Sequence, residues 1–289
     1  MLSGKAITSR TNLLGVIGHP IEHTMSPIMW NPALQELGLD YIYVAFDVHP
    51  ENLEKAIDGV RSLGIKGVNV THPHKSTIIK YLDEVDAFAL KLGAINTIKN
   101  EDGVLKAKNT DAGGAKKSLL DKGCIIEGKN ILILGSGGVS RAIAFVLAEE
   151  AKKIVVTDVI EERALTVARE VKNNMNMDLE GVISSNKNLE AYIKKTDILI
   201  NATPIGMYPK VDESPIPKEL LRENLFVFDV IYNPLKTKLI KEATETGCET
   251  LGGLDMLVNQ GILAFEWWLN KRPNKELMKD KIIEYLGLT

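Results

Sequence analysis

The sequence predicts an α/β protein with two domains. Short runs of β-branched residues alternate along the chain with amphipathic helical stretches, and this alternation is typical of βαβ units around a mainly parallel sheet. It occurs in two series, and 289 residues suffice for two domains of about 100–200 residues each. We therefore place an N-terminal α/β domain at about residues 1–108 and a second domain at about 109–252.

The first series contains three predicted strands and two predicted helices. Pro27 and Pro50 stand where the helices begin, since a missing N–H does no harm in a first turn. Gly38 and Gly64 stand just past the helix ends, where a left-handed cap is usual. A hairpin follows, with Asp102-Gly103 at its turn. The strands are 13–18, 41–48 and 67–71, and the helices are 27–37 and 50–63.

The second series begins near residue 130 and contains five strand candidates and two helices. After it, residues 254–288 predict two helices without strands, which could pack on either domain. The strands are 130–135, 153–159, 197–203, 225–232 and 248–253, and the helices are 139–151 and 161–174.

Composition excludes several classes of protein. The net charge is −3, so no global positive field attracts nucleic acid or an anionic membrane. No apolar run reaches the roughly 18 residues of a membrane span, and the N-terminus lacks a signal-peptide pattern. Cys124 and Cys248 lie far apart, which excludes a disulfide framework and favours a reducing cytosol. We expect a cytoplasmic protein with a small-molecule substrate. The sequence does not determine its oligomeric state, and a homodimer is one possibility.

A glycine-rich turn is the sharpest local signal. It joins a buried strand to a helix, so its backbone N–H groups and the helix dipole could bind a pyrophosphate. Asp158 follows Gly135 by 23 residues, which is where an acid binds the ribose hydroxyls. These features predict a Rossmann-type dinucleotide-binding domain, although a glycine-rich turn without a ligand is the alternative. The turn residues are Gly135, Ser136, Gly137, Gly138, Val139 and Ser140.

Asp158 also bears on the choice of cofactor. A carboxylate at that position repels a 2′-phosphate, and therefore we favour NAD and keep NADP as the alternative. Arg163 lies five residues further on and could stack on the adenine or reach a 2′-phosphate. Asp158 could instead simply cap the following helix.

A second group of polar residues follows predicted strands of the first domain. Lys75 ends the run Asn69-Val-Thr-His-Pro-His-Lys, and Asp111 ends Asn109-Thr-Asp. A lysine and an aspartate that face a substrate hydroxyl form a plausible proton-transfer pair. Taken alone, these residues are ordinary and are better explained as a solvated surface lysine and a helix-capping aspartate.

Several motifs together resemble the shikimate dehydrogenase family. They occur in the family's order and cover nearly the whole chain. The motifs are Gly18-His-Pro-Ile21 with Ser26-Pro27 and Asn31, Asn69-Val-Thr71 with Pro73-His-Lys75, Gly93-Ala-Ile-Asn-Thr97, Asn109-Thr-Asp111, Gly135-Ser-Gly-Gly-Val-Ser-Arg-Ala142, Asn201-Ala-Thr-Pro-Ile-Gly-Met207, Asp229 with Tyr232-Asn-Pro234, and Met256-Leu-Val-Asn-Gln-Gly261.

The resemblance implies reversible hydride transfer between a nicotinamide cofactor and shikimate, which gives 3-dehydroshikimate in the chorismate pathway of aromatic amino-acid biosynthesis. It implies that residues 253–289 join the N-terminal substrate domain and that Lys75 and Asp111 are the catalytic pair. The implied substrate-binding residues are Thr24, Ser26, Thr71 and Tyr232 for the carboxylate and Asn69, Asn96 and Gln260 for the ring hydroxyls. The implied cofactor-binding residues are the glycine turn, Asp158, Arg163 and Thr203, with Met207 and Gly253 beside the nicotinamide.

Some positions depart from the family pattern. Thr24 replaces a serine, Trp30 a frequent histidine, and Asp255 a common glycine, while Asp158 stands where NADP-specific members have an Asn-Arg-Thr-like run. Thr24 and Asp158 favour an NAD-dependent quinate/shikimate dehydrogenase, which would oxidise quinate to 3-dehydroquinate, as an alternative. A dinucleotide-binding regulator without catalysis is a third reading, against which Lys75 and Asp111 argue.

Four histidines invite a metal interpretation. No acidic partners accompany them in a known metal-binding spacing, so no metal site is predicted. They are His19, His23, His72 and His74.

Overall fold

The computed structural model describes residues 6–175, 177 and 179–287. Within them the chain divides into two compact units, each with one six-stranded sheet. The first unit comprises the chain up to Thr110 together with the chain from Gln260 onward, and the second is Asp111–Asn259. The second limit differs from the one drawn at 252/253, because it falls inside a helix that spans Gly253–Leu269. The first limit lies two residues beyond the one drawn at 108/109.

The sheet of the first unit has the strand order β2-β1-β3-β5-β6-β4. β1, β2 and β3 are mutually parallel neighbours, whereas β5 runs antiparallel to both β3 and β6. The predicted hairpin turn is confirmed, since Asp102 and Gly103 both have positive φ, 52° and 95°. The strands are β1 (Asn12–Gly18), β2 (Tyr41–Asp47), β3 (Gly67–Val70), β4 (Glu84–Val85), β5 (Thr97–Glu101) and β6 (Val104–Lys108).

Helices of the first unit cover this sheet. Pro27 lies in the first turn of its helix as predicted, but Pro50 opens a single 3-10 turn, Pro50–Asn52, ahead of the α-helix. Gly38 and Gly64 adopt the left-handed conformation expected past the helix ends. The helices described so far in chain order are α1 (Ser26–Glu36), α2 (Leu53–Ser62) and α3 (Ala87–Leu92).

The sheet of the second unit is parallel throughout, in the order β12-β11-β10-β7-β8-β9. When the strands are numbered within the unit, this is the 3-2-1-4-5-6 order of dinucleotide-binding sheets. The strand order reverses between β7 and β10, and ligands bind at such a point. Its strands are β7 (Asn130–Leu134), β8 (Lys153–Asp158), β9 (Glu180–Ile183), β10 (Ile198–Asn201), β11 (Phe226–Asp229) and β12 (Glu249–Leu251).

Among the described residues, five helices lie within the second unit, α9 spans the limit between the two units, and α10 belongs to the first unit. The two helices predicted within residues 254–288 are confirmed, and they begin at Gly253 and Lys275. Residue 288 lies outside the described residues. The helices are α4 (Asp111–Asp121), α5 (Gly138–Leu147), α6 (Glu161–Met175), α7 (Asn186–Ile193), α8 (Lys238–Glu245), α9 (Gly253–Leu269) and α10 (Lys275–Tyr285).

Aromatic side chains form one part of the core of the first unit. The Trp30 ring stacks on Tyr43 and Phe265, with ring centroids 4.8 and 5.0 Å away, and it lies 5.0 Å from Trp268. Gly67 makes room for Trp268, because a Cβ on Gly67 would lie 2.6 Å from the indole. The C-terminal aromatic residues 265 and 268 are therefore core residues of the first unit.

Among the residues that the structure describes, none of the helices combines the length and the apolarity needed to cross a membrane.

Candidate functional site

The glycine turn of the second unit follows β7 and leads into α5. Gly135 has a φ of +93°, and a Cβ on it would lie 2.8 Å from the carbonyl oxygen of Ala202. A side chain is therefore excluded for two reasons: the backbone conformation favours glycine, and the ends of β7 and β10 approach closely. A Cβ on Gly137 or Gly138 would meet nothing within 4 Å, so open space lies beside the N-terminus of α5, where backbone N–H groups can bind phosphate.

Ser140 occupies the third position of the glycine pattern. Its side chain is fully buried, and its hydroxyl donates a 2.6 Å hydrogen bond to the carbonyl oxygen of Gly135. A small side chain with a hydroxyl group therefore fits the close packing between α5 and β7. Its hydrogen bond connects the turn to the first residues of α5. The departure from a third glycine is therefore compatible with a dinucleotide-binding turn. Val139 lies beside it in the first turn of α5.

Asp158 lies at the carboxyl end of β8 and contacts the same turn. Its Oδ2 accepts hydrogen bonds from the N–H and the hydroxyl of Ser136, at 3.1 and 2.6 Å, and its Oδ1 accepts one from the N–H of Ile160 at 3.0 Å. Partial burial acts to raise the pKa of Asp158, but these hydrogen bonds and the nearby charge of Arg163 outweigh it and lower the pKa. Asp158 is therefore an anion beside the glycine turn, and it also caps the start of the next segment.

The ends of β10 and β11 are joined through a buried carboxylate. Asp229 accepts hydrogen bonds from the Asn201 amide at 3.1 Å, the N–H of Ile231 at 3.1 Å and the Thr237 hydroxyl at 2.7 Å. Burial raises the pKa of Asp229, although those three donors act in the opposite direction. Asn201 in turn accepts from the N–H and hydroxyl of Thr203, at 3.1 and 2.7 Å.

The remaining site candidates of the second unit lie on α6, in the loops after β10 and β11, and at the start of α9. Thr203 begins the loop that carries Met207, whose side chain is 44% exposed. Tyr232 follows β11 by three residues, and burial raises the pKa of its phenol. Gly253 begins α9 and leaves no room for a side chain, since a Cβ would lie 2.0 Å from the carbonyl oxygen of Val230. Arg163 lies exposed in α6.

In the first unit, two hydroxyl residues stand at the start of α1. The Thr24 hydroxyl lies 3.3 Å from the Ser26 hydroxyl, to which it donates, and the Ser26 N–H donates to Thr24 Oγ1, also at 3.3 Å. Ser26 is 8% exposed, while Thr24 is half-buried. The pair can present hydroxyl groups to a small anion without an arginine.

Asn69 and Thr71 lie at the carboxyl end of β3. The Thr71 N–H donates to the carbonyl oxygen of Ile17 at 2.9 Å, which fixes it beside β1. The Asn69 amide is buried, and its Nδ2 donates to the backbone oxygen of Asn96 at 3.2 Å and to Thr97 Oγ1 at 3.1 Å. Much of the hydrogen-bonding capacity of Asn69 is thus used within the protein.

Asn96 connects the segments that contain the two catalytic candidates. Its Oδ1 accepts from the N–H and hydroxyl of Thr110 at 2.7 and 3.1 Å, and Asp111 follows Thr110 directly. The carbonyl oxygen of Lys75 accepts from the N–H of Ile95 at 2.9 Å, the residue before Asn96. The Asn96 Nδ2 donates to Gln260 Oε1 at 3.5 Å.

The structure links some of the predicted residues within each unit by hydrogen bonds. In the first unit, Thr24 is linked to Ser26, Asn69 to Asn96, and Asn96 to Gln260. In the second, Asp158 is linked to Ser136. Sequence reasoning missed Tyr43, Thr97 and Thr110, which complete the first set, and Asn201, Asp229 and Thr237, which hold the loops of the second. Within the described residues, no cluster of three or more histidines, cysteines or acids is arranged to hold a metal ion.

A parallel sheet of this strand order, a glycine turn and an acid at the end of its second strand define the second unit as a dinucleotide-binding unit. Comparisons with known proteins agree with this class. A family model of the shikimate dehydrogenase substrate binding domain matches residues 16–98, and one of the shikimate 5′-dehydrogenase C-terminal domain matches residues 253–283. A model of the saccharopine dehydrogenase NADP binding domain matches residues 131–211.

Full-length relatives define the family. The chain is 48% identical over 279 residues, covering 96% of this chain and 98% of the relative, to a shikimate dehydrogenase (NADP(+)) of Methanocaldococcus jannaschii. It is similar to the structure of shikimate 5-dehydrogenase from Listeria monocytogenes in complex with shikimate and NAD, at 36% identity and a TM-score of 0.91, covering 96% and 99% of the two chains. A quinate dehydrogenase from Corynebacterium glutamicum in complex with NAD has 29% identity and a TM-score of 0.89, covering 95% and 99%. The chain belongs to the shikimate dehydrogenase family of oxidoreductases.

Proposed function

We propose that this chain catalyses the reversible oxidation of shikimate to 3-dehydroshikimate with a nicotinamide cofactor. The observation that carries the proposal is the set of hydroxyl and amide groups beyond the carboxyl ends of β1 and β3. β5 runs antiparallel to β3 and therefore begins at the same end of the sheet. Asn69 and Asn96 therefore belong to one polar set, and Ser26 begins the helix that follows β1. A small polyhydroxylated acid needs such donors and acceptors.

The residues of this set have separate roles in the proposal. Thr24 and Ser26 bind the carboxylate through their hydroxyl groups, with Thr71 and Tyr232 assisting, while Asn69, Asn96 and Gln260 orient the ring hydroxyls. Lys75 receives the proton of the hydroxyl group that is oxidised and returns it in the reverse reaction, and Asp111 orients Lys75 or the hydroxyl. The bound cofactor supplies the hydride acceptor.

The residues of the second unit fit a dinucleotide. Open space beside Gly137 and Gly138 admits a pyrophosphate at the N-terminus of α5, and Ser136, Val139 and Thr203 flank it. Gly253 and Met207 are proposed to lie beside the nicotinamide. The close approach of a backbone oxygen to Gly253 explains why a side chain is excluded there.

For the choice of cofactor, the relatives and the local chemistry differ. The Methanocaldococcus jannaschii relative is named for NADP(+), and this gives no support to the NAD preference expected from the sequence. The proposal of NAD for this chain rests on Asp158 alone, whose lowered pKa keeps a negative charge where a 2′-phosphate would lie. Arg163 is the residue through which NADP would be accepted.

Quinate is the second candidate substrate. It differs in the ring carbon that bears the carboxylate, and Thr24 is the observation that favours it, because the extra methyl group changes the volume beside that carboxylate. Oxidation of quinate would give 3-dehydroquinate with the same residues in the same roles.

Initial rates with purified protein test these proposals. NAD and NADP reduction would be measured with shikimate and with quinate, in all four combinations. We expect turnover with shikimate, and a higher kcat/KM with NAD than with NADP. Absence of turnover in every combination would contradict the dehydrogenase proposal and favour a regulator without catalysis. Cytoplasmic location and a homodimer stay predictions.

A further inference from the structure

Thr97 is a buried residue that has no role in the proposal above. It is the first residue of β5, and in the antiparallel register it pairs with Asn69 of β3. Side chains of directly opposed residues lie close together on one face of a sheet. Thr97 is fully buried, and Asn96 precedes it in the chain. Thr97 therefore neighbours both asparagines that are proposed to orient the ring hydroxyls.

The Thr97 hydroxyl accepts a hydrogen bond from the first of these asparagines. Asn69 Nδ2 donates to Thr97 Oγ1 at 3.1 Å and to the backbone oxygen of Asn96 at 3.2 Å. That backbone oxygen can only accept, so the Asn69 atom beside it must be the amide nitrogen. Thr97 Oγ1 is therefore the acceptor in its contact with Asn69, and its own proton goes to a different partner.

That partner is the amide oxygen of Asn96. Thr97 Oγ1 donates to Asn96 Oδ1 at 2.9 Å. The N–H of Thr110 donates to the same Asn96 atom at 2.7 Å, which identifies the atom as the oxygen, because a backbone N–H can only donate. The Thr110 hydroxyl lies 3.1 Å from both Asn96 Oδ1 and Thr97 Oγ1. One buried hydroxyl thus joins the amide nitrogen of Asn69 to the amide oxygen of Asn96.

These hydrogen bonds are compatible with the contacts proposed for the substrate. Asn69 Oδ1 accepts from the Tyr43 hydroxyl at 2.7 Å, and an amide oxygen has two lone pairs with which to accept. Asn96 Nδ2 carries two hydrogens and donates one to Gln260 Oε1. A ring hydroxyl, which both donates and accepts, matches an acceptor on Asn69 and a donor on Asn96.

We propose that Thr97 is a positioning residue for the substrate ring, because its hydroxyl holds the amides of Asn69 and Asn96 in one relative orientation. This inference rests on the proposed function and deepens it. Thr97 acts through the two asparagines, since its hydroxyl is engaged by both of them. Without that hydroxyl, Asn69 Nδ2 loses one acceptor and Asn96 Oδ1 loses one donor, which leaves both buried amides less firmly oriented.

The variant Thr97→Val keeps the branched shape of the side chain and removes the hydroxyl. We expect its Kd and KM for shikimate to rise roughly tenfold, the effect of about one net hydrogen bond, whereas the Kd for the cofactor stays within about twofold. Thr97→Ser retains the hydroxyl, and its Kd for shikimate should stay within about threefold of the wild-type value. An unchanged shikimate Kd in Thr97→Val, or a tenfold rise in Thr97→Ser, would overturn the proposal.

Thr157→Val is the matched control. Thr157 is a buried strand residue of the second unit, and its hydroxyl has no hydrogen-bond partner within the described part of the chain. We expect the shikimate Kd of this variant to equal that of the wild type. A tenfold rise in this variant as well would mean that the effect is not specific to Thr97, and would contradict the proposal.

A double-mutant cycle tests whether Thr97 acts through Asn96. In an Asn96→Ala background, Thr97→Val should weaken shikimate binding by only about threefold, because the amide oxygen that Thr97 holds is already gone. A purely structural role would give the same factor in both backgrounds, and that result would contradict the proposal. If Thr97→Val does not fold, Thr97→Cys replaces it with the same expected outcomes, since a thiol forms only weak hydrogen bonds.

The two proposals fail in different ways. A wild-type protein that neither binds nor turns over shikimate would contradict the proposed function. A wild type that turns over shikimate, with Thr97→Val binding it at wild-type affinity, would contradict only the role of Thr97.

Discussion

The Ser136 hydroxyl donates a 2.6 Å hydrogen bond to the carboxylate of Asp158, which ties the glycine turn after β7 to the end of β8. The same oxygen also accepts from the Ser136 N–H. An anion is thus built into the turn that should receive the adenosine ribose. Under the proposed function, this charge opposes a further phosphate on that ribose.

Replacing Asp158 should change the cofactor preference. We expect Asp158→Ala to raise the ratio of kcat/KM for NADP to that for NAD by roughly tenfold or more, equivalent to at least about 1.4 kcal/mol of relieved repulsion. The exposed neighbour Glu161→Ala is the control and should leave the ratio unchanged. Since the pKa of Asp158 is lowered, the wild-type ratio should also be constant from about pH 7 to about pH 9. An unaltered ratio in Asp158→Ala would place the residue outside the cofactor site.

Lys75→Ala should separate turnover from binding. Loss of a proton-transfer group is expected to lower kcat by about 10²–10⁴-fold, whereas the Kd for shikimate changes much less. Lys80→Ala, an exposed lysine of the same segment, is the control. Kinetics and equilibrium binding would be measured on the same preparations. A change confined to KM would refute the proposed role.

Two adjacent glycines offer a matched pair. A Cβ on Gly253 would lie 2.0 Å from a backbone oxygen, while one on Gly252 would lie 3.4 Å from the nearest atom. We expect Gly253→Ala to lose about 3 kcal/mol or more of unfolding free energy and to weaken cofactor binding, because the backbone of Val230 must move. Gly252→Ala should lose less than about 1 kcal/mol. Urea unfolding would measure the unfolding free energy of both variants. Equal losses would contradict the prediction, because they would mean that the backbone of Val230 moves away from a Cβ at residue 253 without loss of stability.

The buried carboxylate of Asp229 should contribute strongly to stability. Asp229→Ala leaves the Ile231 N–H, the Thr237 hydroxyl and one of the two Asn201 amide hydrogens without their acceptor, and we expect a loss of about 3 kcal/mol in unfolding free energy. Asp212→Ala, at an exposed position, should change it by less than about 0.5 kcal/mol. Denaturant unfolding of the two variants beside the wild type measures the difference. Similar values would mean that water replaces the carboxylate at this site.

Local signals made much of the fold predictable. The hairpin at Asp102-Gly103, the glycine turn and the position of Asp158 each depend on a few consecutive residues whose chemistry allows one backbone path. Pro50 was harder, because its first turn is 3-10 and the helix proper begins at Leu53. β4 and β9 gave no usable pattern: they contain only two and four residues, and β9 has no fully buried position.

The polar set of the first unit could not be predicted in full, since it depends on pairing between distant strands. Tyr43 lies in an apolar run that reads as an ordinary buried strand. Its contact with Asn69 appears only once β2 and β3 are known to flank β1. Asn96 and Thr110 flank the predicted hairpin of β5 and β6, but their residue types alone do not indicate that the Asn96 Oδ1 accepts hydrogen bonds from Thr110. Sequence motifs supplied the residues that are proposed to touch a ligand, but not the residues that hold them in place.

The contact between Gly67 and Trp268 has a consequence for biosynthesis. The two residues are 201 positions apart, and Phe265, which stacks on Trp30, lies close to Trp268 in the chain. The ribosome therefore synthesises the strands of the first sheet, with Trp30 and Tyr43, long before Phe265 and Trp268, which pack against Trp30. Until residue 268 emerges, the surface over Gly67 has no indole to cover it. The first unit therefore begins to be synthesised first and is completed last, because its last part, with most of α9 and all of α10, follows the second unit in the chain. We expect the second unit to be able to fold before that part is synthesised.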